Sequence, residues 1–332
     1  MFEKVFIIAE AGSNHNGDLK TAIELVRRAG ESGADAVKFQ DFTLQSLFSP
    51  VHYEKTLGLK DKGWRNTVEL LSLKPEWHES LAAAARQTGI HYFSTPFSTE
   101  AVDSLEEWVP FFKIASGDIT HSLLLEKVAC KGKGVFLSTG ASRIDEIERA
   151  VAILHKYDLP FICVMHCIML YPAPDNALNL SFIDTLKTHF KLPIGFSDHS
   201  PDTLASIIAV SKGACAVEKH FTLDRTQRGA DHQNSIDPDM FKDFTQNIRR
   251  CERMLGDADR PIGEMEGRER VYARRGIYTV KDLKKGDKLT SEKVRFLRPK
   301  TGAGAEDFDR LKNATLDTDV TRGNALDWSM FR

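Results

Sequence analysis

The chain has 332 residues, of which 42% are hydrophobic and 28% charged, and its formal net charge is −2. This composition supplies enough apolar side chains for a packed core, and the near-neutral charge excludes a general affinity for nucleic acid or for an anionic membrane. The five cysteines show no paired spacing, and residues 1–4 run into a predicted strand without a secretion signal. We therefore expect a cytoplasmic protein with no disulfide framework, no nucleic-acid partner and no membrane partner.

The first 256 residues alternate between short runs rich in Val, Ile and Phe and longer amphipathic stretches. The short runs are typical of buried parallel strands, and the longer stretches are typical of helices. Strands are predicted at 5–11, 36–40, 91–95, 111–115, 135–139, 161–167, 193–197 and 216–220. Helices are predicted at 19–32, 75–89, 142–157, 181–190, 201–212 and 238–255.

Eight strands separated by helices over about 255 residues predict an α/β fold, a (β/α)8 TIM barrel. The alternative is an open doubly wound sheet, which usually carries a glycine-rich phosphate loop after its first strand. Residues 10–17 follow that strand and contain no G-x-G-x-x-G pattern. The barrel is therefore the favoured architecture, assigned to residues 1–256.

The chain changes character after residue 256. Residues 257–272 are charged and broken by Pro and Gly, so they are predicted to be a linker. Residues 273–332 contain shorter β-like segments at 277–280, 288–289 and 294–297 and form a small β-rich second domain. A domain of this size has little core of its own, so we expect it to lean on another surface.

Active-site groups of such barrels lie at the carboxyl ends of the strands. Lys38 and Lys113 stand near the ends of the second and fourth strands. The hydroxyl of Ser116 follows that fourth strand, and those of Ser138 and Ser197 stand at or near the ends of the fifth and seventh. Converging ammonium and hydroxyl donors suit a phosphate or a carboxylate. The alternative is a Schiff-base lysine, as in barrel aldolases, but that chemistry requires a neutral lysine and is disfavoured by a second anion-facing one.

Two histidines, His199 and His220, end the neighbouring seventh and eighth strands. Two imidazoles at adjacent strand ends can share a divalent metal such as Mn²⁺ or Mg²⁺ and leave positions open for substrate. Such a metal would activate a carbonyl as a Lewis acid, and Asp198 would orient its neighbour His199. The alternative is a pair of ordinary hydrogen-bonded histidines.

Three carboxylates complete the candidate set. Glu10 ends the first strand and could handle a proton or bind a sugar hydroxyl. Asp118 could be a general base or merely cap the next helix. Asp231 lies in a loop rich in Gly and Asp after the eighth strand, and such a loop can reach over the mouth of a barrel.

With these residues in place, the sequence resembles the sialic acid (N-acetylneuraminate) synthase family, with its legionaminic acid, pseudaminic acid and spore-coat polysaccharide synthases. The resemblance covers essentially the whole chain. It is carried by IAEAGSNHNG at 8–17, AVKFQ at 36–40, STPF at 94–97, FKIASG at 112–117, LSTG at 137–140, GFSDH at 195–199 and EKHFTLDR at 218–225. The tail from residue 273 resembles the antifreeze-like (SAF) domain of that family.

The resemblance implies a condensation in which C3 of phosphoenolpyruvate (PEP) attacks the open-chain aldehyde of an N-acylated hexosamine such as N-acetylmannosamine. Water then attacks C2, and phosphate leaves by C–O cleavage. The implied PEP ligands are Lys38, Lys113, Ser116, Ser138 and Ser197. The implied metal ligands are His199 and His220, and the implied catalytic residues are Glu10, Lys113 and Asp118.

The resemblance also implies which residues contact the sugar. These are Glu10, Gln40, Tyr171 and Asp231, together with Arg298 from the partner subunit of a domain-swapped homodimer. Three positions depart from the family pattern: Asp118 stands where glutamate is usual, Met169 where a polar residue is usual, and Ala230 where proline is frequent. The first two leave open an altered substrate or a non-catalytic relative that binds PEP or a sugar.

Overall fold

The computed structural model describes residues 2–49, 51–52 and 63–332. The chain divides into two compact units, Met1–Gly256 and Asp257–Arg332. Within the described residues, no helix is long and apolar enough to cross a membrane.

The first unit contains the eight predicted strands, each within one residue of its expected ends. In chain order they are β1 Phe6–Gly12, β2 Ala36–Asp41, β3 His91–Pro96, β4 Phe111–Ile114, β5 Gly134–Ser138, β6 Ile162–Cys167, β7 Ile194–Asp198 and β8 Ala216–His220. Their helices are Leu19–Glu31, Leu44–Leu47, Gly63–Leu71, His78–Thr88, Thr99–Leu105, Ser122–Ala129, Ile144–Leu154, Phe182–Phe190, Leu204–Ser211 and Pro238–Leu255.

The strands form one parallel sheet in the order β3-β2-β1-β8-β7-β6-β5-β4. The pairing of β1 with β8, which places Glu10 opposite His220, curls the sheet back on itself. The described residues include no hydrogen-bonded ladder between β3 and β4, so the barrel is nearly closed. This architecture confirms the predicted TIM barrel and excludes the open doubly wound sheet.

Aromatic side chains fill the barrel beneath its mouth. Phe6, Phe93, Phe111 and Phe136 come from four strands and are buried. Phe93 and Phe111 pack edge to face with ring centroids 4.8 Å apart, and Phe111 and Phe136 do so at 5.3 Å. Because side chains alternate along a strand, the next inward positions after this plug reach the carboxyl ends, where the polar residues stand.

The second unit has its own small core around an antiparallel pair, β9 Gly276–Thr279 and β10 Val294–Leu297. Buried Ile277, Leu289 and Leu316 pack within that core. The predicted linker differs from expectation, because residues 257–272 contain most of the helix Glu264–Ala273. That helix is rich in Glu and Arg, which favour a helical backbone, even though it buries none of its residues.

Candidate active site

A cavity of about 450 Å³ opens at the carboxyl ends of the barrel strands, within the usual size range of ligand pockets. Eleven of the predicted site residues line it: Glu10, Lys38, Gln40, Lys113, Ser116, Asp118, Ser138, Tyr171, Ser197, His199 and His220. The structure therefore brings together residues that lie up to 210 positions apart in the sequence.

Lys38 is buried at this cavity and bound by two neighbouring side chains. Its ammonium lies 2.6 Å from Oε2 of Glu10 and donates to the Thr95 hydroxyl at 3.0 Å. The amide of Gln40 donates to the other oxygen of Glu10 at 2.7 Å. One carboxylate thus fixes a predicted PEP ligand and a predicted sugar ligand.

Lys113 makes a second buried ion pair, with a residue that the sequence reasoning missed. Its ammonium donates to both oxygens of Glu218, at 2.9 and 2.8 Å, and the Ser197 hydroxyl donates to the same carboxylate at 3.0 Å. Glu218 is only 4% exposed and also lies 3.9 Å from the ammonium of Lys38. The sequence does contain a signal for Glu218. Residues two apart on a strand share a face, so Glu218 lies on the same inner face of β8 as His220.

These pairs give each of the two predicted anion-binding lysines a carboxylate partner within the protein. Burial alone would raise the pKa of Glu218, but Lys113 and Lys38 outweigh burial and lower this pKa to about 2. Burial dominates at Glu10 and raises its pKa, although Lys38 opposes the change. Burial would lower the pKa of Lys38, and the carboxylates of Glu10 and Glu218 reverse that effect and raise it. Two neighbouring carboxyls therefore have pKa values pushed in opposite directions, an arrangement suited to acid–base roles.

The hydroxyls of Ser116 and Ser138 differ in their contacts. Ser116 Oγ accepts a hydrogen bond from the backbone N–H of Gly140 at 2.9 Å and so ties β4 to β5. Ser138 Oγ is buried, yet it has no hydrogen-bond partner among the described residues. A buried hydroxyl without a partner is costly, so a ligand oxygen in the cavity would satisfy a group that the protein leaves open.

The imidazoles of His199 and His220 lie side by side, with ring centroids 5.3 Å apart. Nδ1 of His199 donates to the Ile168 carbonyl at 2.7 Å, which leaves the lone pair on Nε2. Burial, and then the neighbouring His220, lower the pKa of His199 to about 3, so His199 is neutral at neutral pH. Nδ1 of His220 is buried with no hydrogen-bond partner in the described structure.

The described residues include no group of three or more His, Cys, Asp or Glu arranged to hold a metal. The two imidazoles nonetheless fit a two-ligand site, because one offers a directed lone pair and the other an unpartnered buried nitrogen. Asp198 does not orient the His199 ring as expected. It accepts instead from the Ser200 backbone N–H at 2.8 Å and from the Ser206 hydroxyl at 2.6 Å.

Three of the predicted sugar ligands, Glu10, Gln40 and Asp231, surround the backbone of Gly12, which has a positive φ of 50°. A Cβ placed there would lie 3.2 Å from Oδ2 of Asp231, 3.3 Å from Oε1 of Glu10 and 3.4 Å from the amide nitrogen of Gln40. Glycine thus allows the loop after β8 to bring Asp231 close to Glu10 and Gln40. Tyr171 completes this region by stacking on His199, with ring centroids 4.1 Å apart.

Asp118 lines the cavity from a short 3₁₀ turn and does not cap the following helix, whose first turn is capped by His121. Burial raises the pKa of Asp118. Met169 also lines the cavity, is 45% exposed and lies beside Gly140, where a Cβ would come within 2.7 Å of its Cγ. Arg298 belongs to the second unit and is exposed.

Comparison with known proteins matches both units to family models. Residues 25–260 match the NeuB family, and residues 274–332 match the SAF domain. The N,N'-diacetyllegionaminic acid synthase of Campylobacter jejuni is 38% identical over 316 residues, which cover 93% of this chain and 95% of that protein. A pseudaminic acid synthase of Campylobacter jejuni is 35% identical over 337 residues, covering 99% and 97%. The crystal structure of an N-acetylneuraminic acid (sialic acid) synthetase from Leptospira borgpetersenii is 36% identical, with a TM-score of 0.72 over 81% of this chain and 90% of that one.

Proposed function

The chain belongs to the NeuB family, and we propose that it condenses phosphoenolpyruvate with the open-chain aldehyde of an N-acylated hexosamine to give a nonulosonic acid and phosphate. The family resemblance seen in the sequence motifs is confirmed, and relatives over almost the full length are synthases of acidic sugars of this kind. The single observation that carries the proposal is the buried cluster at the barrel mouth of two lysines and a serine hydroxyl that has no partner among the described residues.

The lysine side of the cavity suits the enolpyruvyl phosphate. Lys38, Lys113 and Ser138 supply cationic and hydroxyl donors within one cavity, as a substrate with a phosphate and a carboxylate requires. Glu10 and Glu218 hold both ammonium groups in place before substrate arrives. Such preorganisation lowers the cost of ordering long side chains at the moment of binding.

The adjoining region, where Glu10, Gln40 and Asp231 converge on Gly12, suits a polyhydroxylated substrate. A carboxylate and a primary amide accept from and donate to sugar hydroxyls. Tyr171 adds an aromatic face beside His199. The sugar aldehyde would then lie between this polar group and the enol carbon of phosphoenolpyruvate.

In the proposed reaction, C3 of the enol phosphate forms a bond to the aldehyde carbon, and the aldehyde oxygen gains a proton. Glu10 is the proposed residue that handles this proton, because it lines the cavity and burial raises the pKa of its carboxyl. Water adds to C2 and loses a proton, for which Asp118 is the proposed acceptor or orienting group. The C2–O bond to phosphate then breaks while the new C2 hydroxyl loses its proton and becomes the carbonyl of the product, so inorganic phosphate leaves and one water is consumed for each phosphate released.

His199 and His220 are the proposed ligands of a divalent cation, Mn²⁺ or Mg²⁺. Such a cation supplies Lewis-acid polarisation of the aldehyde carbonyl when it is bound. The fixed tautomer of His199 presents Nε2 for this purpose, and Nδ1 of His220, unpartnered among the described residues, offers a second nitrogen that the protein does not itself satisfy.

We further propose that the working enzyme is a domain-swapped homodimer in which Arg298 of the partner subunit reaches the acyl group of the sugar. The small core of the second unit and its helix Glu264–Ala273, which buries no residue, support a partner surface. A Schiff-base aldolase is disfavoured, because Lys38 and Lys113 are both bound to carboxylates that stabilise the charged ammonium.

The proposed function is tested by incubating the protein with phosphoenolpyruvate, Mn²⁺ and a panel of N-acylated hexosamines, including N-acetylmannosamine and 6-deoxy, diacetamido and phosphorylated forms. We expect phosphate release that depends on one sugar and on the cation. No release with any sugar, despite phosphoenolpyruvate binding, would favour a non-catalytic relative. A covalent adduct trapped by borohydride with pyruvate would favour the aldolase.

A further inference from the structure

The outer face of β7 and β8 carries a third buried ion pair, directly behind the cavity. Lys219 and Asp198 are register partners on these strands and are each 1% exposed. The ammonium of Lys219 lies 3.2 Å from Oδ2 of Asp198. Because Glu218 and His220 point into the cavity, Lys219 between them points away from it, toward the helix Leu204–Ser211.

This pair holds the backbone on the carboxyl side of His199. Lys219 donates to the Ser200 carbonyl at 2.6 Å, and the Asp198 carboxylate accepts from the Ser200 N–H at 2.8 Å. The hydroxyl of Ser206 donates to Oδ2 of the same carboxylate at 2.6 Å. Both polar backbone atoms of Ser200 are thus bound by the ion pair.

The placement of the pair relates it to both imidazoles. His199 lies between Asp198 and Ser200 in the chain, so its backbone is fixed on either side. His220 follows Lys219 directly, so the same lysine anchors the strand end that carries the second imidazole. In the described part of the chain, neither Lys219 nor Asp198 makes a hydrogen bond to either ring, so any effect on the rings must act through the backbone.

We propose that Lys219 is a positioning residue that sets the relative placement of the His199 and His220 imidazoles. The inference rests on the proposed function in taking these rings as the ligands of a divalent cation. A buried lysine is expensive to retain, and hydrophobic residues can often replace such pairs without loss of stability. Here the pair joins β7 and β8 at the point where each strand presents one imidazole. It can therefore fix the distance and orientation between the two rings.

The test uses the full chain with Lys219→Met, which keeps the approximate length of the side chain and removes its ammonium. Mn²⁺ binding is measured by electron paramagnetic resonance of the free ion, and phosphoenolpyruvate binding by calorimetry. We expect the Mn²⁺ dissociation constant to rise about 10–100-fold, the usual effect of losing a residue that orients metal ligands. The dissociation constant for phosphoenolpyruvate should stay unchanged, since Lys219 does not face the cavity.

A readout without metal separates this inference from the proposed function. Histidine-selective nitrogen NMR of the metal-free protein should show His199 protonated at Nδ1, as its bond to the Ile168 carbonyl requires. Lys219→Met should convert this signal to a mixture of tautomers. If the unaltered protein binds no Mn²⁺, the metal assignment in the proposed function fails, and the nitrogen spectrum alone decides the role of Lys219.

Lys133→Met is the matched control, because Lys133 also donates to a backbone carbonyl, that of Val109 at 2.6 Å. It lies at the opposite end of the barrel and should leave Mn²⁺ binding unchanged. If Lys219→Met does not fold, Ser206→Ala removes one hydrogen bond from the same carboxylate and should raise the Mn²⁺ dissociation constant several-fold. A folded variant of either residue with unchanged Mn²⁺ affinity and an unchanged His199 signal would overturn the proposal.

Discussion

The two faces of strands β7 and β8 carry ionic networks of opposite character. On the inner face, Glu218 binds Lys113 and Ser197, while nearby Ser138 Oγ and His220 Nδ1 have no partner among the described residues. On the outer face, both oxygens of the Asp198 carboxylate accept hydrogen bonds, and Lys219 binds a carbonyl as well as the carboxylate. The inner network is incomplete and the outer network is complete.

This difference separates binding from positioning. Each buried polar group without a partner costs about 1–3 kcal/mol, so the inner face gives up stability that a ligand can restore. The outer network is satisfied within itself and instead fixes the backbone. Substitutions on the inner face should therefore act mainly on substrate binding and catalysis, whereas substitutions on the outer face should act mainly on geometry and stability.

The largest effect is expected from Lys113→Met. It removes the bidentate partner of Glu218 and leaves a buried carboxylate, at a cost of about 3–5 kcal/mol in the free energy of unfolding. Phosphate release should fall at least about 10²–10³-fold, as when a charge-stabilising donor is lost. Urea denaturation and calorimetry with phosphoenolpyruvate measure the two effects. A variant that keeps full affinity for phosphoenolpyruvate would remove Lys113 from the binding site.

His220→Ala tests the other incomplete group of the inner face. We expect loss of the Mn²⁺-dependent part of the activity, with an intact fold, because the deleted ring has a buried nitrogen without a partner among the described residues. The matched control is His189→Ala, whose ring is exposed and paired with Glu148. Assays with and without Mn²⁺ provide the measurement, and activity that keeps its metal dependence would refute the assignment.

His15 carries a buried imidazole that belongs to neither network, and its effect on stability at acidic pH can be compared with theirs. Burial lowers the pKa of His15 from 6.5 to about 4, and its Nε2 has no hydrogen-bond partner in the described structure. The imidazole of His15 therefore binds a proton more tightly in the unfolded chain than in the folded one. The contribution of His15 to the free energy of unfolding should fall as the pH drops from 6.5 to about 4, by at most about 1.4 kcal/mol per pH unit. Denaturation of His15→Gln and the unaltered protein across this range should give a stability difference that changes only below about pH 6.5. A difference that is constant with pH would contradict the shift.

Arg298→Ala tests the proposal that Arg298 of a partner subunit contacts the sugar at the inner face. We expect the KM for the sugar to rise about tenfold, equivalent to about 1.4 kcal/mol, with little change in the KM for phosphoenolpyruvate. The neighbouring exposed Arg295 offers a matched control as Arg295→Ala. Both KM values are measured by steady-state kinetics with each substrate varied in turn. An unchanged KM for the sugar would contradict a contact between Arg298 and the sugar.

The smallest effects are expected from substitutions of two buried serines, one on each face, and these distinguish the roles of the two faces most clearly. Ser138→Ala should leave stability unchanged or slightly higher, because its hydroxyl has no partner in the described structure, but should weaken phosphoenolpyruvate binding. Ser206→Ala should cost about 1 kcal/mol of stability through the lost bond to Asp198 and leave that binding unchanged. Denaturation measures the stability of both variants, and calorimetry measures their affinity for phosphoenolpyruvate. If the two variants changed stability and affinity alike, the inner and outer faces would not differ in function.

Local sequence patterns predicted the barrel well, since buried parallel strands read as apolar runs such as that of β1. They missed the short helices Thr99–Leu105 and Ser122–Ala129, which have too few turns for a clear period. They also predicted a linker where the helix Glu264–Ala273 occurs, because charge and Gly or Pro breaks around it outweighed its helix-forming residues.

The candidate site was predictable as a set of residues and not as a set of contacts. Positions at strand ends identified Lys38, Lys113 and the two histidines, because barrel topology brings all strand ends together. The pairing of Lys113 with Glu218 joins residues 105 positions apart and depends on side-chain reach across the barrel, which no local pattern encodes. The partners of Asp198 were not predictable for the same reason, since Lys219 and Ser206 lie on other elements.

The central claim, a condensation with cleavage of the C2–O bond, is tested most directly with phosphoenolpyruvate that carries a heavy oxygen isotope in the bridge between C2 and phosphorus. The reaction is run with the accepted sugar and Mn²⁺, and both products are analysed by mass spectrometry. We expect one labelled phosphate for each unlabelled nonulosonic acid formed. Label retained in the sugar acid, or label-free phosphate without any sugar acid, would contradict it.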